Sequence, residues 1–459
     1  MPNLDPSEFR EAARAVLERL AAHLQTSADG VEAVVATPPV SECAGALNLE
    51  HWLRDGGMSA DELADFVGEY LRRSTHLHSP GFMAHQVAVP HFASALADLV
   101  CGMTNNGMAV YEMGPPAVAV ERAVLAWMRR HAGFVSGSGV LVHGGSLANL
   151  TALLAARAAA APSAWQRGVG RELVVLAPAS SHYSVGRAVA IAGLGERAVW
   201  PLPTDDLGVL RPEAFAPTLA AVRAAGKVPI ALVANACATA TGLYDPVAAA
   251  ADFCDEHGLW LHVDGCHGAS ALLSPAHRHL LAGVERASSL VWDAHKMLRT
   301  SVLCAGVLFR DAGAAGKTFQ QDAKYFRADV DAERPNLFPL AVECTKTALG
   351  LKLLLTLAFV GEAGMAAHVA SAYDRTRRFH DLIADASGFT CAYSPQANIL
   401  CFRYGDDDQE GIRRRLLGQG RFHLSATVLG ERRWLRMVVM NDDTDEHTVE
   451  AMLDAIRGL

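Results

Sequence analysis

Residues 287–298 read Ala-Ser-Ser-Leu-Val-Trp-Asp-Ala-His-Lys-Met-Leu, a short apolar run that ends in an acid, a histidine and a lysine. The apolar neighbours Trp292, Met297 and Leu298 predict that Lys296 is partly desolvated. Desolvation favours the neutral amine, which is a nucleophile towards an aldehyde. Lys296 is therefore a candidate for Schiff-base formation, although a short motif of this kind also fits a surface lysine at the end of a strand.

A second motif lies upstream, where Leu-Trp-Leu-His-Val at 259–263 predicts a buried strand and Asp264 follows at its carboxyl end. Ligands of open α/β sheets bind outside the carboxyl ends of the strands. An aspartate there also suits a turn or a helix cap. Together with a Schiff-base lysine, however, it is what pyridoxal 5'-phosphate (PLP) requires, because the carboxylate keeps the pyridine nitrogen protonated and lets the ring accept electrons.

Composition indicates a globular protein with small-molecule partners. The chain has 459 residues, of which 51% are hydrophobic and 19% charged, enough for two or three domains. The net charge of -9 and the lack of a basic stripe argue against a nucleic-acid partner, because such proteins must replace the counterions of phosphates.

The sequence shows no pattern typical of a signal peptide or of a membrane-spanning segment. Its start, Met-Pro-Asn-Leu-Asp, lacks the basic and apolar segments of a signal peptide, and no stretch is expected to span a bilayer. We therefore expect a cytoplasmic protein. The nine cysteines form no Cys-x-x-Cys pair, so they are expected to be reduced core residues and no metal site is predicted.

Strand and helix patterns alternate through the middle of the chain. Predicted strands at 173–176, 198–202 and 229–234 are separated by helical patterns, which indicates a mostly parallel sheet with right-handed crossovers. The pattern then changes to that of a smaller α+β unit. We predict an N-terminal helical arm (residues 1–75) that packs on the rest or on a second subunit, a large α/β domain (76–357) and a small C-terminal α+β domain (358–459).

Three loops of the large domain are candidates for the cofactor site. Gly144, Gly145 and Ser146 precede a helix whose free N–H groups suit a phosphate, although the same residues also fit a plain N-cap. His182 follows a strand and can lie flat against an aromatic cofactor, but a lone histidine is often structural. Thr239 begins a hydroxyl-rich turn that either contributes to the cofactor site or caps the next helix.

These motifs resemble, in order and spacing, the PLP-dependent amino acid decarboxylases of the glutamate, cysteine-sulfinate, diaminobutyrate and aromatic amino acid group. The motifs are Gly-Gly-Ser-x-Ala-Asn at 144–149, His182, His-Val-Asp at 262–264 and Asp-Ala-His-Lys at 293–296. The resemblance runs from about residue 76 to the end. It implies the PLP-dependent transferase fold type I, with a mostly parallel sheet in a large domain and a smaller C-terminal α+β domain. It also implies a homodimer with active sites at the interface.

The resemblance assigns roles to individual residues. Lys296 would form the internal aldimine, Asp264 would pair with the pyridine nitrogen and His182 would stack on the ring. Contacts to the rest of the cofactor would come from Gly145, Ser146, Thr239, Asp293 and His295. Residues on the substrate side would be Tyr111, Phe338 and Arg436, of which Arg436 matches an arginine near the substrate carboxylate in the acidic-substrate branch.

Two departures from the family pattern bear on the reaction. Lys346 stands where relatives usually have arginine, and the loop at 327–340, which normally brings a proton-donating tyrosine, contains Phe338 as its only aromatic residue. The sequence predicts a lyase that decarboxylates a small amino acid, with an acidic or diamino side chain preferred, through an aldimine and a quinonoid. The alternative is decarboxylation-dependent oxidative deamination that gives an aldehyde. A scaffold without catalysis is disfavoured because Lys296 and Asp264 are retained.

Overall fold

The computed structural model describes residues 5–319, 333–406 and 408–459, which form two β-sheets with helices packed against them. The helices are α1 (Pro6–Ala28), α2 (Val40–Ala46), α3 (Leu49–Asp55), α4 (Ala60–Arg72), α5 (Phe92–Thr104), α6 (Pro115–Ala132), α7 (Gly145–Ala160), α8 (Ala164–Arg167), α9 (Tyr183–Ile191), α10 (Phe215–Ala224), α11 (Val247–His257), α12 (Ala314–Phe319), α13 (Leu349–Asp385), α14 (Gln409–Gly418) and α15 (Glu446–Arg457). The strands are β1 (Ser138–Val142), β2 (Leu173–Pro178), β3 (Val199–Leu202), β4 (Val228–Asn235), β5 (Trp260–Asp264), β6 (Ser289–Asp293), β7 (Ala305–Phe309), β8 (Phe389–Cys391), β9 (Ile399–Tyr404), β10 (Ser425–Leu429) and β11 (Arg432–Val438).

The larger sheet has the strand order β1-β7-β6-β5-β4-β2-β3. Neighbours from β6 to β3 are parallel, while β7 is antiparallel to both β1 and β6. The prediction of a mostly parallel sheet is confirmed. Because β7 reverses direction between two strands that run the same way, the carboxyl ends of β1, β2, β4, β5 and β6 all meet at one edge.

The smaller sheet is antiparallel throughout, with the order β10-β11-β9-β8, and α14 and α15 pack with it. The long helix α13 connects the two sheets and changes direction at Gly361, whose φ of 70° is in the left-handed region that glycine tolerates. The predicted α/β fold with a smaller α+β part is therefore confirmed.

The apolar run that precedes Lys296 forms the central strand β6, and all five of its residues are buried. The indole of Trp292 is fully buried, stacks on Trp127 with 5.7 Å between ring centroids, and donates a hydrogen bond to Ser270. The packing of this buried indole fixes the end of β6, so the loop that carries Lys296 starts from a rigid position.

One helix corrects the prediction that no stretch has the length of a membrane span. Within the described residues, α13 meets the criteria of length and hydropathy. Its residues Leu353, Met365 and Val369 lie fully buried in the main hydrophobic core. All nine cysteines are free, as predicted, but only five are buried and Cys344 is exposed, which corrects their prediction as core residues.

The open edge of β1 is covered by a buried ion pair. The ammonium of Lys346 contacts the carboxylate of Glu121 on α6, and these two groups meet the backbone of Leu141: its N–H donates to Glu121 and its carbonyl accepts from Lys346. Both side chains are almost fully buried. Lys346, which departs from the family's usual arginine, therefore satisfies the polar groups of an edge strand.

We predict that Glu121→Ala lowers the free energy of unfolding by about 3 kcal/mol or more, because it leaves the Lys346 ammonium buried without its counter-charge. Glu18→Ala is the control, since Glu18 pairs with Arg14 on the surface and such pairs contribute at most about 1 kcal/mol. Thermal and urea unfolding measure both. Equal, small losses in the two variants would contradict the prediction.

Candidate active site

Three neighbouring parallel strands end in polar residues at the same sheet edge. Asn235, Asp264 and Asp293 are the last residues of β4, β5 and β6, and Asn235 is directly opposite Asp264 in the register. The sequence motifs at 264 and 293 therefore meet because the sheet is parallel. Such an edge is where ligands of α/β proteins bind.

A cavity of about 300 Å³ opens at this edge. It is lined by His143, Gly144, Gly145, Ser146, His182, Ser184, Asn235, Cys237, Thr239, Asp264, Cys266, His267, Asp293, His295, Lys296 and Leu303. Every residue that the sequence analysis assigned to the cofactor lies in this lining. Lys296 and Asp264, which the resemblance assigns to the same cofactor, both line this cavity.

Lys296 is charged in this cavity, which corrects the expectation of a neutral amine. Its Nζ lies 3.3 Å from Oδ2 of Asp293. Burial by itself would lower the pKa of Lys296, but the carboxylates of Asp293 and Asp264 outweigh burial and raise the pKa above its usual value. The expectation counted the apolar neighbours but not Asp293, three residues before Lys296, nor Asp264, which the fold brings near.

Asp264 remains ionised although it is buried. Burial would raise the pKa of this carboxyl group, but hydrogen bonds and nearby positive charge lower it below its usual value. The backbone N–H of Cys266 donates to Oδ1 at 3.3 Å, and the side-chain amide of Asn149 donates to Oδ2 at 2.8 Å. The carboxylate is thus held as an anion in fixed orientation.

His182 stands immediately before α9 as its N-cap. Its Nδ1 accepts from the backbone N–H of Ser184 at 3.3 Å and lies 2.8 Å from the hydroxyl of the same residue. Burial lowers the pKa of His182, so the ring is neutral near pH 7. His182 therefore both caps α9 and lines the cavity.

The start of α7 is shaped for close approach of a ligand. Gly144 is the N-cap with a φ of 94°, and it offers no side-chain cap, so the first N–H groups of the helix are not met by a capping side chain. A β-carbon on Gly145 would come within 2.5 Å of Sγ of Cys266 and 2.8 Å of Oδ2 of Asp293. This geometry favours an anion site over the plain N-cap alternative.

The three residues predicted on the substrate side do not line the cavity in the described chain. Arg436 is buried and donates to the carbonyl oxygens of Thr239, Ala240 and Ala84 and to the hydroxyl of Ser425. Arg436 therefore lies behind the cavity wall, where its hydrogen bonds hold the turn that contains Thr239. Its contact with a substrate stays a prediction.

Tyr111 and Phe338 belong to neighbouring loops. The backbone N–H of Tyr111 donates to Asn336 and that of Phe338 donates to the carbonyl of Ala109. Residues 327–332 of the predicted proton-donating loop lie outside the described residues. The roles of Tyr111 and Phe338 also stay predictions.

Several residues at the site were not assigned from the sequence, among them the lining residue His267 and Asn149, which contacts Asp264 without lining the cavity. Asn149 is fully buried and follows the glycine motif by one helical turn. Only this spacing on α7 could have indicated its contact with Asp264. His267 is buried with a pKa of about 3, lowered chiefly by burial, and its Nε2 pairs with Asn398 of the other part of the chain. No sequence signal connects residues so far apart.

Comparison with known proteins agrees with this geometry. The pyridoxal-dependent decarboxylase conserved domain matches residues 64–405, most of the chain. Cysteine sulfinic acid decarboxylase of Mus musculus is 34% identical over 84% of this chain and 79% of that protein, and L-2,4-diaminobutyrate decarboxylase of Rhizobium meliloti is 32% identical over 88% and 80%.

The fold is also shared with solved structures. The crystal structure of mouse CSAD superposes with a TM-score of 0.92 at 26% identity and covers 99% of both chains. With the family domain, the relatives and the cavity in agreement, the chain belongs to the pyridoxal-dependent decarboxylases, which are PLP-dependent carboxy-lyases.

Proposed function

We propose that this protein removes the carboxyl group of a small amino acid, with Lys296 as the residue that bonds the cofactor and Asp264 as the residue that pairs with its ring nitrogen. The observation that carries the proposal is that an ammonium and an ionised carboxylate line one cavity together with a helix start that lacks a capping side chain.

The residues fit the parts of PLP one by one. Gly145 and Ser146 offer N–H groups and a hydroxyl to the phosphate, and the space beside Gly145 is too narrow for any side chain. His182 forms part of the cavity wall as a neutral aromatic ring. Thr239 and His295 contribute further polar atoms to the lining.

The protein's own residues prepare the reaction. Asp264 would hold the proton on the pyridine nitrogen of bound PLP, because an ionised, buried carboxylate strongly favours a positive partner. Lys296 would supply the amine that bonds the aldehyde with loss of water, and Asp293, 3.3 Å from its Nζ, holds that side chain in place as an ion pair. When bound, PLP supplies the electron-accepting ring that stabilises the carbon left after loss of CO2.

The substrate class follows from the relatives. Cysteine sulfinic acid, acidic amino acid and 2,4-diaminobutyrate decarboxylases are among them by name. We therefore propose an acidic or diamino side chain. Purified enzyme with PLP, incubated with standard and non-protein amino acids of acidic, diamino and aromatic type, should release CO2 most rapidly from one of the first two classes.

We predict that Lys296→Ala abolishes both CO2 release and the visible absorbance that borohydride removes, because Lys296 is the only lysine that lines the cavity among the described residues. Lys317→Ala is the control, since Lys317 is an exposed lysine outside the cavity. Retention of either property in Lys296→Ala would reject the assigned nucleophile.

A second candidate reaction is oxidative deamination after decarboxylation, which yields an aldehyde. The absence of tyrosine from residues 327–340 favours it, because no residue of that segment can then be the tyrosine that donates the proton. Oxygen uptake and ammonia release in proportion to CO2 would identify this reaction, and CO2 release with an amine product and no oxygen uptake would exclude it.

We also propose that the chain forms a homodimer with the active sites at its interface. One face of α5 exposes the apolar residues Phe92, Leu96, Leu99, Val100 and Met103. Ser94 of this helix bonds Ser301, next to the exposed residues Val302 and Leu303, and Leu303 also lines the cavity. Exposed apolar residues thus lie both on α5 and in the loop that reaches the cavity wall, and large exposed patches of this kind mark protein interfaces.

We predict that Leu99→Glu together with Met103→Glu converts the dimer to a monomer and reduces activity, because the charges cannot be buried in an apolar contact. Val135→Glu, at an apolar residue exposed elsewhere, is the control and should leave the dimer intact. Sedimentation velocity measures the mass. A monomeric unsubstituted enzyme with full activity would contradict the proposal.

We predict that Gly145→Ala weakens PLP binding by about tenfold or more, because a methyl group there collides with Cys266 and Asp293 and displaces the helix start from the phosphate. Gly186→Ala, on α9 with open space around it, should leave the affinity unchanged. Absorbance titration of the cofactor-free enzyme measures both. Equal affinity in the two variants would refute the phosphate assignment.

A further inference from the structure

The side-chain amide of Asn149 sits at the centre of a buried hydrogen-bond network. Its Nδ2 donates to Oδ2 of Asp264 at 2.8 Å and to Oγ of Ser184 at 2.9 Å, and its Oδ1 lies 3.0 Å from Nε2 of His262. Asn149 and His262 have no exposed surface. Both N–H groups of the amide are therefore used, and no water competes for them.

The chemistry of the partners fixes which atom carries each proton. The Asp264 carboxylate only accepts hydrogen bonds, so the amide nitrogen of Asn149 must face it and the amide oxygen must face His262. Nε2 of His262 therefore carries a proton.

The other nitrogen of His262 continues the network towards the sheet. Nδ1 lies 2.8 Å from the hydroxyl of Ser289, whose oxygen also accepts from the indole of Trp260 at 2.8 Å. Since Trp260 only donates, the Ser289 hydroxyl is free to give its own proton to Nδ1. Burial lowers the pKa of His262 to about 4, which agrees with a neutral ring.

A second branch reaches the cavity through Ser184. Because Oγ of Ser184 accepts from Asn149, its hydroxyl proton is available to Nδ1 of His182, 2.8 Å away, where the backbone N–H of Ser184 also points. Nδ1 of His182 is thus an acceptor. The proton of the neutral ring is on Nε2, the nitrogen left for the cavity that His182 lines.

We propose that Asn149 is a positioning residue that couples the two sides of the cofactor site: one amide orients Asp264 and, through Ser184, sets the tautomer in which His182 presents Nε2–H to the cavity. Buried His262, held by Ser289, keeps this amide from turning over. The inference rests on the proposed PLP site, to which it adds the residues that set its protons.

The network explains how an ionised side chain and a neutral titratable side chain can lie in the same site. Asp264 must stay ionised in a buried position, and the half-buried His182 must stay neutral. A turned amide would place its oxygen against the Asp264 carboxylate and leave the ring of His262 facing an N–H group, so each contact would become repulsive.

The test compares substitutions along the network in enzyme with PLP bound and in the cofactor-free protein. In Asn149→Leu and His262→Leu, we expect the PLP dissociation constant to rise about tenfold, as for loss of a hydrogen bond to a charged group, and the visible absorbance band and its circular dichroism to shift. His262→Gln keeps a donor near the position of Nε2 and should restore the band.

Two serines provide a matched control. Ser289 and Ser270 are both fully buried and each accepts a hydrogen bond from a tryptophan indole, but Ser289 contacts His262 and Ser270 does not. Ser289→Ala should shift the cofactor band and Ser270→Ala should not, although both lose the same indole contact. Equal shifts, or no shift in Ser289→Ala and Asn149→Leu, would overturn the proposal.

Neutron diffraction from perdeuterated, unsubstituted crystals tests the tautomers without any variant having to fold. Deuterons on Nε2 of His262 and Nε2 of His182 are expected, and a deuteron on Nδ1 of either neutral ring would overturn the proposal. Failure of the proposed function is a separate result, because it appears as absence of a Lys296-dependent chromophore in the unsubstituted enzyme.

Discussion

Asp264 carries its charge in a place where burial alone would neutralise it. The carboxylate is ionised because donors from Asn149 and the backbone of Cys266 point at it, and because Lys296 is near. These donors need a fixed scaffold, since a hydrogen bond stabilises a charge only while its geometry holds. The rest of the structure holds these hydrogen-bond donors and the positive charge of Lys296 around the Asp264 carboxylate.

The parallel sheet provides that scaffold. It brings the ends of β4, β5 and β6 to one edge, so a strand end supplies Asp264 and the next strand end supplies Asp293 to hold the charge of Lys296. Trp292 packs the end of β6 into the core, and the first turns of α7 bring both Gly145 and Asn149 to the same place. A single packing arrangement thus serves both ends of the cofactor.

The same arrangement limits what can be changed without consequence. The space beside Gly145 is filled by Cys266 and Asp293, so a methyl group there would displace the start of α7, and the amide of Asn149 has no spare hydrogen bond to lose. The ammonium of Lys296 is held by the two carboxylates of Asp264 and Asp293. Loss of one partner is destabilising, because each ion left alone in a buried site loses its solvation without compensation.

The sequence by itself indicated the family through its motifs, and it determined the α/β fold and the cofactor candidates that meet in the cavity, because strand ends and helix starts are local features and the parallel alternation brings them to one edge. It did not determine the charge of Lys296, because that charge depends on how near the carboxylates of Asp293 and Asp264 lie in the folded chain. It did not reveal the partners of Arg436, Lys346 or His267. Only the tertiary structure decided these, since hydrogen bonds between residues remote in the chain and the burial of each charge depend on how the elements pack.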